Sequence, residues 1–139
     1  MKKRGFYIAL SLTILWLCVI FGHSLMPAEV SSSESLGVLA WLIKIFPWLT
    51  HLMLRKLAHF SAFAILGGLM TCAMRPEKLP LQPVMCALCA AFIDETIQIF
   101  VEGRSGQVSD MWIDFAGAIC GAMIAFLLLK MRKKTEEKV

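Results

Sequence analysis

Charge is scarce in this sequence. Only 17% of its 139 residues are Asp, Glu, Lys or Arg, while 58% are hydrophobic, and the mean hydropathy is +0.72. A soluble domain carries about a quarter charged residues, so the composition excludes a disordered chain and argues against a soluble enzyme. Cysteine offers no disulfide framework. Cys18, Cys72, Cys86, Cys89 and Cys120 are odd in number and lie inside apolar runs. Cys86-x-x-Cys89 has redox spacing, but a thiol buried in a membrane helix is poorly reactive, and packing explains the pair. G-x-S-x-G, Walker A, H-E-x-x-H and paired C-x-x-C patterns are all missing, as are repeats and low-complexity tracts. The net charge of +4 has no soluble basic domain to present it, so a nucleic-acid partner is not expected.

What the sequence does have is apolar length. A helix needs about 20 residues to cross the roughly 30 Å hydrocarbon layer, and four runs approach this: about 5–21, 54–74, 83–101 and 109–129. The first follows Lys2, Lys3 and Arg4 as a signal peptide would. It is long, contains Trp16 and lacks a small-residue cleavage site, so it reads as an uncleaved span. After it, Ser31-x-x-Glu34 has the form of a capping box, and Leu36 to Phe46 reads as a helix ended by Pro47. Those residues reach only about 16 Å, and Trp41 and Trp48 suit a headgroup boundary, which predicts an interfacial helix over about 34–46. A span over Leu36–Leu54 would bury Lys44 and Pro47 and is rejected. The tail, 130–139, is charged and expected to fray.

The expected fold is therefore a single all-α membrane domain over 1–139. It has four transmembrane helices, a short extracytoplasmic interfacial helix and cytoplasmic termini. This topology puts ten Lys and Arg residues inside and four (Lys44, Arg55, Lys56, Arg104) outside, as the positive-inside rule asks. The location is the cell membrane, multi-pass, with the functional face extracytoplasmic.

Ionisable groups inside a bilayer cost a few kcal/mol each, yet this chain collects them at one level. Asp94, Glu95 and Gln98 lie roughly 10, 9 and 5 Å below the outer end of the third run. Lys56 and His59 lie near the outer start of the second, Asp110 and Asp114 near that of the fourth, and His23 and Ser24 close the first. Arg104 sits in the loop between. Asp94 and Gln98 share a helical face with Ala87, Ala90 and Ala91. Asp110 and Asp114 share theirs with Gly117-x-x-x-Gly121, and Lys56 and His59 share theirs with Phe60, Phe63 and Gly67. Small residues mark helix contacts, so the polar shelf should face the bundle interior.

These residues resemble the VanZ-like membrane family. Lys56-Leu57-Ala58-His59-Phe60-Ser61-Ala62-Phe63 followed by Gly67 looks like its first motif. Asp94-Glu95-x-x-Gln98-x-Phe100, then Arg104, Asp110, Asp114 and Gly117, is similar to its second, and Phe21-x-x-Ser24-x-x-Pro27 also fits. One departure is Asp114, where the family usually has asparagine. The resemblance implies a bacterial envelope protein associated with reduced susceptibility to the glycopeptide teicoplanin.

On chemistry, His59, Asp94, Glu95 and Gln98 are the candidate catalytic group. Lys56, Arg104, Ser24 and His23 are candidate substrate-binding residues, with Arg55 beside Lys56 as a further part of a phosphate clamp. Asp94, Glu95, Asp110 and Asp114, with His59, form an oxygen-rich candidate site for Mg²⁺ or Mn²⁺. The glycines of Glu102-Gly103-Arg104-Ser105-Gly106 let backbone N–H groups approach an anion. Phe60, Phe63, Met53 and Trp112 read as packing or as a slot for an acyl or polyprenyl chain. Three functions fit. One is a metal-assisted hydrolase or transferase on the phosphate of a membrane lipid or lipid-linked cell-wall precursor. The others are a binder or translocator of such a lipid, for which a homodimer would provide the path, and an accessory subunit whose polar network orders the helices.

Overall fold

The computed structural model describes residues 3–104 and 106–136. Lys2, Lys138 and Ser105 lie outside the described residues. Among the described residues the chain is all helical, with five helices: α1 (Lys3–Ser24), α2 (Ala28–Leu42), α3 (His51–Met74), α4 (Leu81–Ile99) and α5 (Val108–Glu136). Three are long and apolar enough to cross a membrane: Arg4–Ser24, His51–Met74 and Val108–Glu136. By that measure α4 does not qualify, since Asp94, Glu95 and Gln98 crowd its C-terminal half. All five cysteines are unpaired.

Three boundaries differ from the sequence reading. The helix expected over 34–46 begins at Ala28, so Ser31 and Glu34 lie inside it and form no capping box. Pro27 brings its fixed φ of −54° to the helix start. The first free N–H, on Ala28, goes to the Glu102 carbonyl at 3.2 Å, so a loop supplies the partner that a serine was expected to give. This helix stops at Leu42, ahead of Pro47. Second, α3 starts three residues early because Thr50 caps it, its hydroxyl accepting from the Met53 N–H at 3.2 Å. Third, the last helix extends beyond the apolar run that ended at about 129. α5 runs on to Glu136, and Arg132 pairs with Glu136 at 3.0 Å one turn on.

α3 and α5 run parallel and in register. Arg55 meets Asp110 and His59 meets Asp114, each pair 55 residues apart. Below these, glycine lets the backbones touch. A Cβ at Gly117 would collide with the Phe60 carbonyl, one at Gly67 with Ala118, and one at Gly121 with Ala64. α1 and α4 pack antiparallel to this pair around Ile20, Phe63, Leu66, Met70, Ala87, Ala90, Ala91 and Ala118. The inward face of α4 is alanine, and its outward face carries exposed Phe92, Ile93 and Ile99. That division turns Asp94, Glu95 and Gln98 inward, where all three are buried. Trp16 of α1 donates its indole N–H to the Ala62 carbonyl at 2.8 Å.

Candidate functional site

The polar residues meet at the end of the bundle where α1 and α4 finish and α3 and α5 begin. Each is placed by its helix and held by a second element. Asp94 accepts from the Ser24 hydroxyl and from Gln98 Nε2, the latter at 2.9 Å. His59 Nδ1 lies 3.2 Å from Asp114 Oδ1. Glu95 Oε2 accepts the Gln107 backbone N–H at 2.7 Å. Arg55 pairs with Asp110 at 2.9 Å, and Ser109 reaches the other Asp110 oxygen at 3.3 Å.

Arg104 donates to the His23 carbonyl at 3.1 Å. Burial, helped by the neighbouring Arg55 guanidinium, lowers the Arg104 pKa from its ordinary value. His23 Nε2 stands 3.9 Å from Glu34 of α2. The loop between α4 and α5 turns at Gly103, whose φ is +71°, a region glycine enters freely. The anion that this loop's backbone reaches is internal: the Gln107 N–H donates to the Glu95 carboxylate.

These groups surround a cavity of ≈ 300 Å³. Its polar wall carries His23, Ser24, Arg55, His59, Asp94, Gln98 and Arg104. Its apolar wall, formed by Trp16, Val19, Ile20, Ala58, Ala62 and Phe63, runs down α1 and α3. From Ser24 to Trp16 is about 12 Å along α1. Ser31, Ser32 and Ser35 of α2 also face it. Below the polar wall, His59, Asp94, Glu95 and Asp114 each offer one possible metal-ligand atom, all within 4.8 Å of one another.

Most residues singled out from the sequence therefore converge, with three differences. Asp110 is held by Arg55 and stands outside the cluster of four, because it is one turn nearer the start of α5. Lys56 does not line the cavity; Arg55, the adjacent α3 residue, takes that place. Of the proposed aromatic slot, only Phe63 lines it, while Met53 and Trp112 point outward, 46% and 60% exposed. Sequence reasoning missed His51, which lines the cavity with Nε2 buried and without a hydrogen-bond partner among the described residues. It also missed the α2 serines. Their i, i+1, i+4 spacing was the available signal, once a helix start at Ala28 puts them on one face.

The VanZ/LLP1 family model matches residues 9–129 of this chain. The chain belongs to the VanZ/LLP1 family. The match runs through α1 to α5 and contains every residue of the cavity wall. With three helices of spanning length it makes this VanZ-family chain a membrane protein. Neither a curated protein nor a solved structure matches it.

Proposed function

We propose that this VanZ-family protein is a bacterial cell-envelope protein whose cavity binds the phosphate-bearing head group of a membrane lipid or lipid-linked cell-wall precursor and acts on that phosphate by hydrolysis or transfer. One observation carries the reading: the cavity is polar at the end of the bundle and apolar toward its middle. A lipid at a membrane boundary has the same polarity along the same axis. Arg55 and Arg104 supply guanidinium groups for phosphate oxygens. The first carbons of the chain fit between Ile20, Ala62 and Phe63, above the floor that Trp16 closes.

In this proposal α4 is the fourth span. Its 19 residues reach about 28 Å, and its lipid-facing side is apolar. The polar end faces outward and the termini inward. Arg75 at the end of α3 lies 3.7 Å from where a Cβ on Gly5 of α1 would stand, so it joins the basic end with Lys130, Arg132, Lys133 and Lys134 of α5. α2, with Trp41 62% exposed, lies along the membrane surface. Reduced teicoplanin susceptibility follows as a consequence of an altered envelope lipid.

The test compares envelope lipids and cell-wall precursors by mass spectrometry. Cells lack the gene, or carry the wild type or Asp94→Asn at equal membrane levels. A species gained or lost only with the wild type is the expected result. Identical masses in all strains, with lipid still bound to purified protein and weakened by Arg104→Ala, would leave binding or translocation. Loss of no lipid on Arg104→Ala would end the reading of the cavity as a phosphate site.

A further inference from the structure

The four-residue cluster below the cavity carries a step of its own. Asp94, Glu95 and Asp114 are 1%, 7% and 0% exposed, and they come from two helices that His59 on a third joins. The two arginines at this end are engaged elsewhere, Arg55 by Asp110 and Arg104 by the His23 carbonyl. Three buried carboxylates with one imidazole therefore face one another, at a separation where like charges repel strongly.

A second observation is independent of that crowding. Glu95 Oε1 and Asp114 Oδ2 are buried with no hydrogen-bond partner among the described residues. A buried acceptor left unpaired is destabilising, and more so when it is charged. Two of the carboxylates are at the same time fixed from outside the cluster, Asp94 by Ser24 and Gln98 and Glu95 by the Gln107 N–H, while Asp114 is held within it by His59. Outer contacts that orient acidic groups and leave oxygens facing inward are how metal ligands are held.

We propose that His59, Asp94, Glu95 and Asp114 bind one divalent cation, and that Asp110 takes no part. Three carboxylates and one imidazole suit Mn²⁺ best, with Mg²⁺ as a weaker competitor, since the donors are mainly hard oxygens and Mg²⁺ gains little from nitrogen. His59 and Asp94 also line the cavity, which sets the cation at the boundary between cluster and head group. The cation site does not depend on the lipid reading, and its test contains no candidate lipid substrate.

Full-length protein in detergent is stripped with chelator and titrated with Mn²⁺, free ion being followed by electron paramagnetic resonance. One saturable Mn²⁺ per chain is expected, displaced by Mg²⁺. Glu95→Gln and Asp114→Asn should each weaken it at least tenfold, and Glu77→Gln, exposed in the α3–α4 loop, should leave it unchanged. Circular dichroism reports whether each variant folds. If neither cluster variant folds, wild-type melting decides: Mn²⁺ raising the melting temperature of stripped protein supports the site, and no shift overturns it. Absence of saturable binding, or affinity equal to wild type in both folded variants, also overturns it.

Discussion

Gly121→Ala isolates the contact on which the site is built. Gly121 of α5 lies against the backbone of α3, where an added Cβ would stand 2.9 Å from Ala64 Cα and closer still to its carbonyl. Carbon atoms rest at about 3.5–4.0 Å. The obstacle is main chain, which cannot rotate away, so the two axes must part by roughly 1 Å or more at this crossing. Overpacking of this kind costs about 1–3 kcal/mol, and the better helix propensity of alanine returns up to about 1 kcal/mol. The net expectation is a loss of about 1–2 kcal/mol. Gly22→Ala is the matched control. Nothing lies within 4 Å of a Cβ there, so stability should hold or rise by up to about 1 kcal/mol. Reversible unfolding in mixed micelles, titrated with a denaturing detergent, measures both. A Gly121→Ala protein within about 0.5 kcal/mol of wild type, with its cation affinity unchanged, would refute the reasoning, because the α3–α5 contact would then not be close enough to matter.

Two further substitutions test the capping and pairing described above. Asp110→Asn strips Arg55, whose side chain is 40% exposed, of its ion-pair partner. The cost should fall between that of a surface and a buried pair, about 1–2 kcal/mol in the same micelle titration. Thr50→Ala removes the α3 cap and should cost about 1 kcal/mol, whereas Ser31→Ala, at a position that caps nothing, should cost less than half as much. Equal losses for the two would mean that Ser31 supports α2 as much as the Thr50 cap supports α3.

The membrane class and the polar shelf were legible because they rest on local signals. Runs of apolar residues read as helices whatever they pack against. Asp94 and Gln98 share a face by helical geometry alone, and Gly117-x-x-x-Gly121 announces a contact without naming the partner. What was hidden depended on pairing between elements. Ser31-x-x-Glu34 has the right spacing for a capping box, but the Glu102 carbonyl, distant in sequence, fixes the helix start at Ala28 instead. Arg55 and Lys56 differ by one position, hence by about 100° around α3. Composition treats them alike, and only the direction of α5 decides that Arg55 meets Asp110. His51 carried no signal because it sits at the first residue of α3, where a sequence reading places loop.

The register of α3 against α5 ties stability to the site. Parallel helices that keep one offset repeat their contacts every turn. Arg55 with Asp110 and His59 with Asp114 are two successive rungs at the same 55-residue offset. Gly117 against Phe60 and Gly121 against Ala64 form a second pair of rungs further in, at their own common offset of 57 residues. The upper rungs are long side chains that reach across, and the lower ones have no side chain to hold the axes apart. Charge pairs alone would not fix this register, since Arg55 is 40% exposed and screened. The glycine rungs do so, because a shift along the axis would carry Ala118 and Ala64 out of the space that Gly67 and Gly121 leave open for them. A slip of one residue on α5 would also turn Asp114 about 100° away from His59, and with it one wall of the acidic cluster. The same small residues that allow close packing therefore determine which acidic groups face one another beside the polar wall of the cavity.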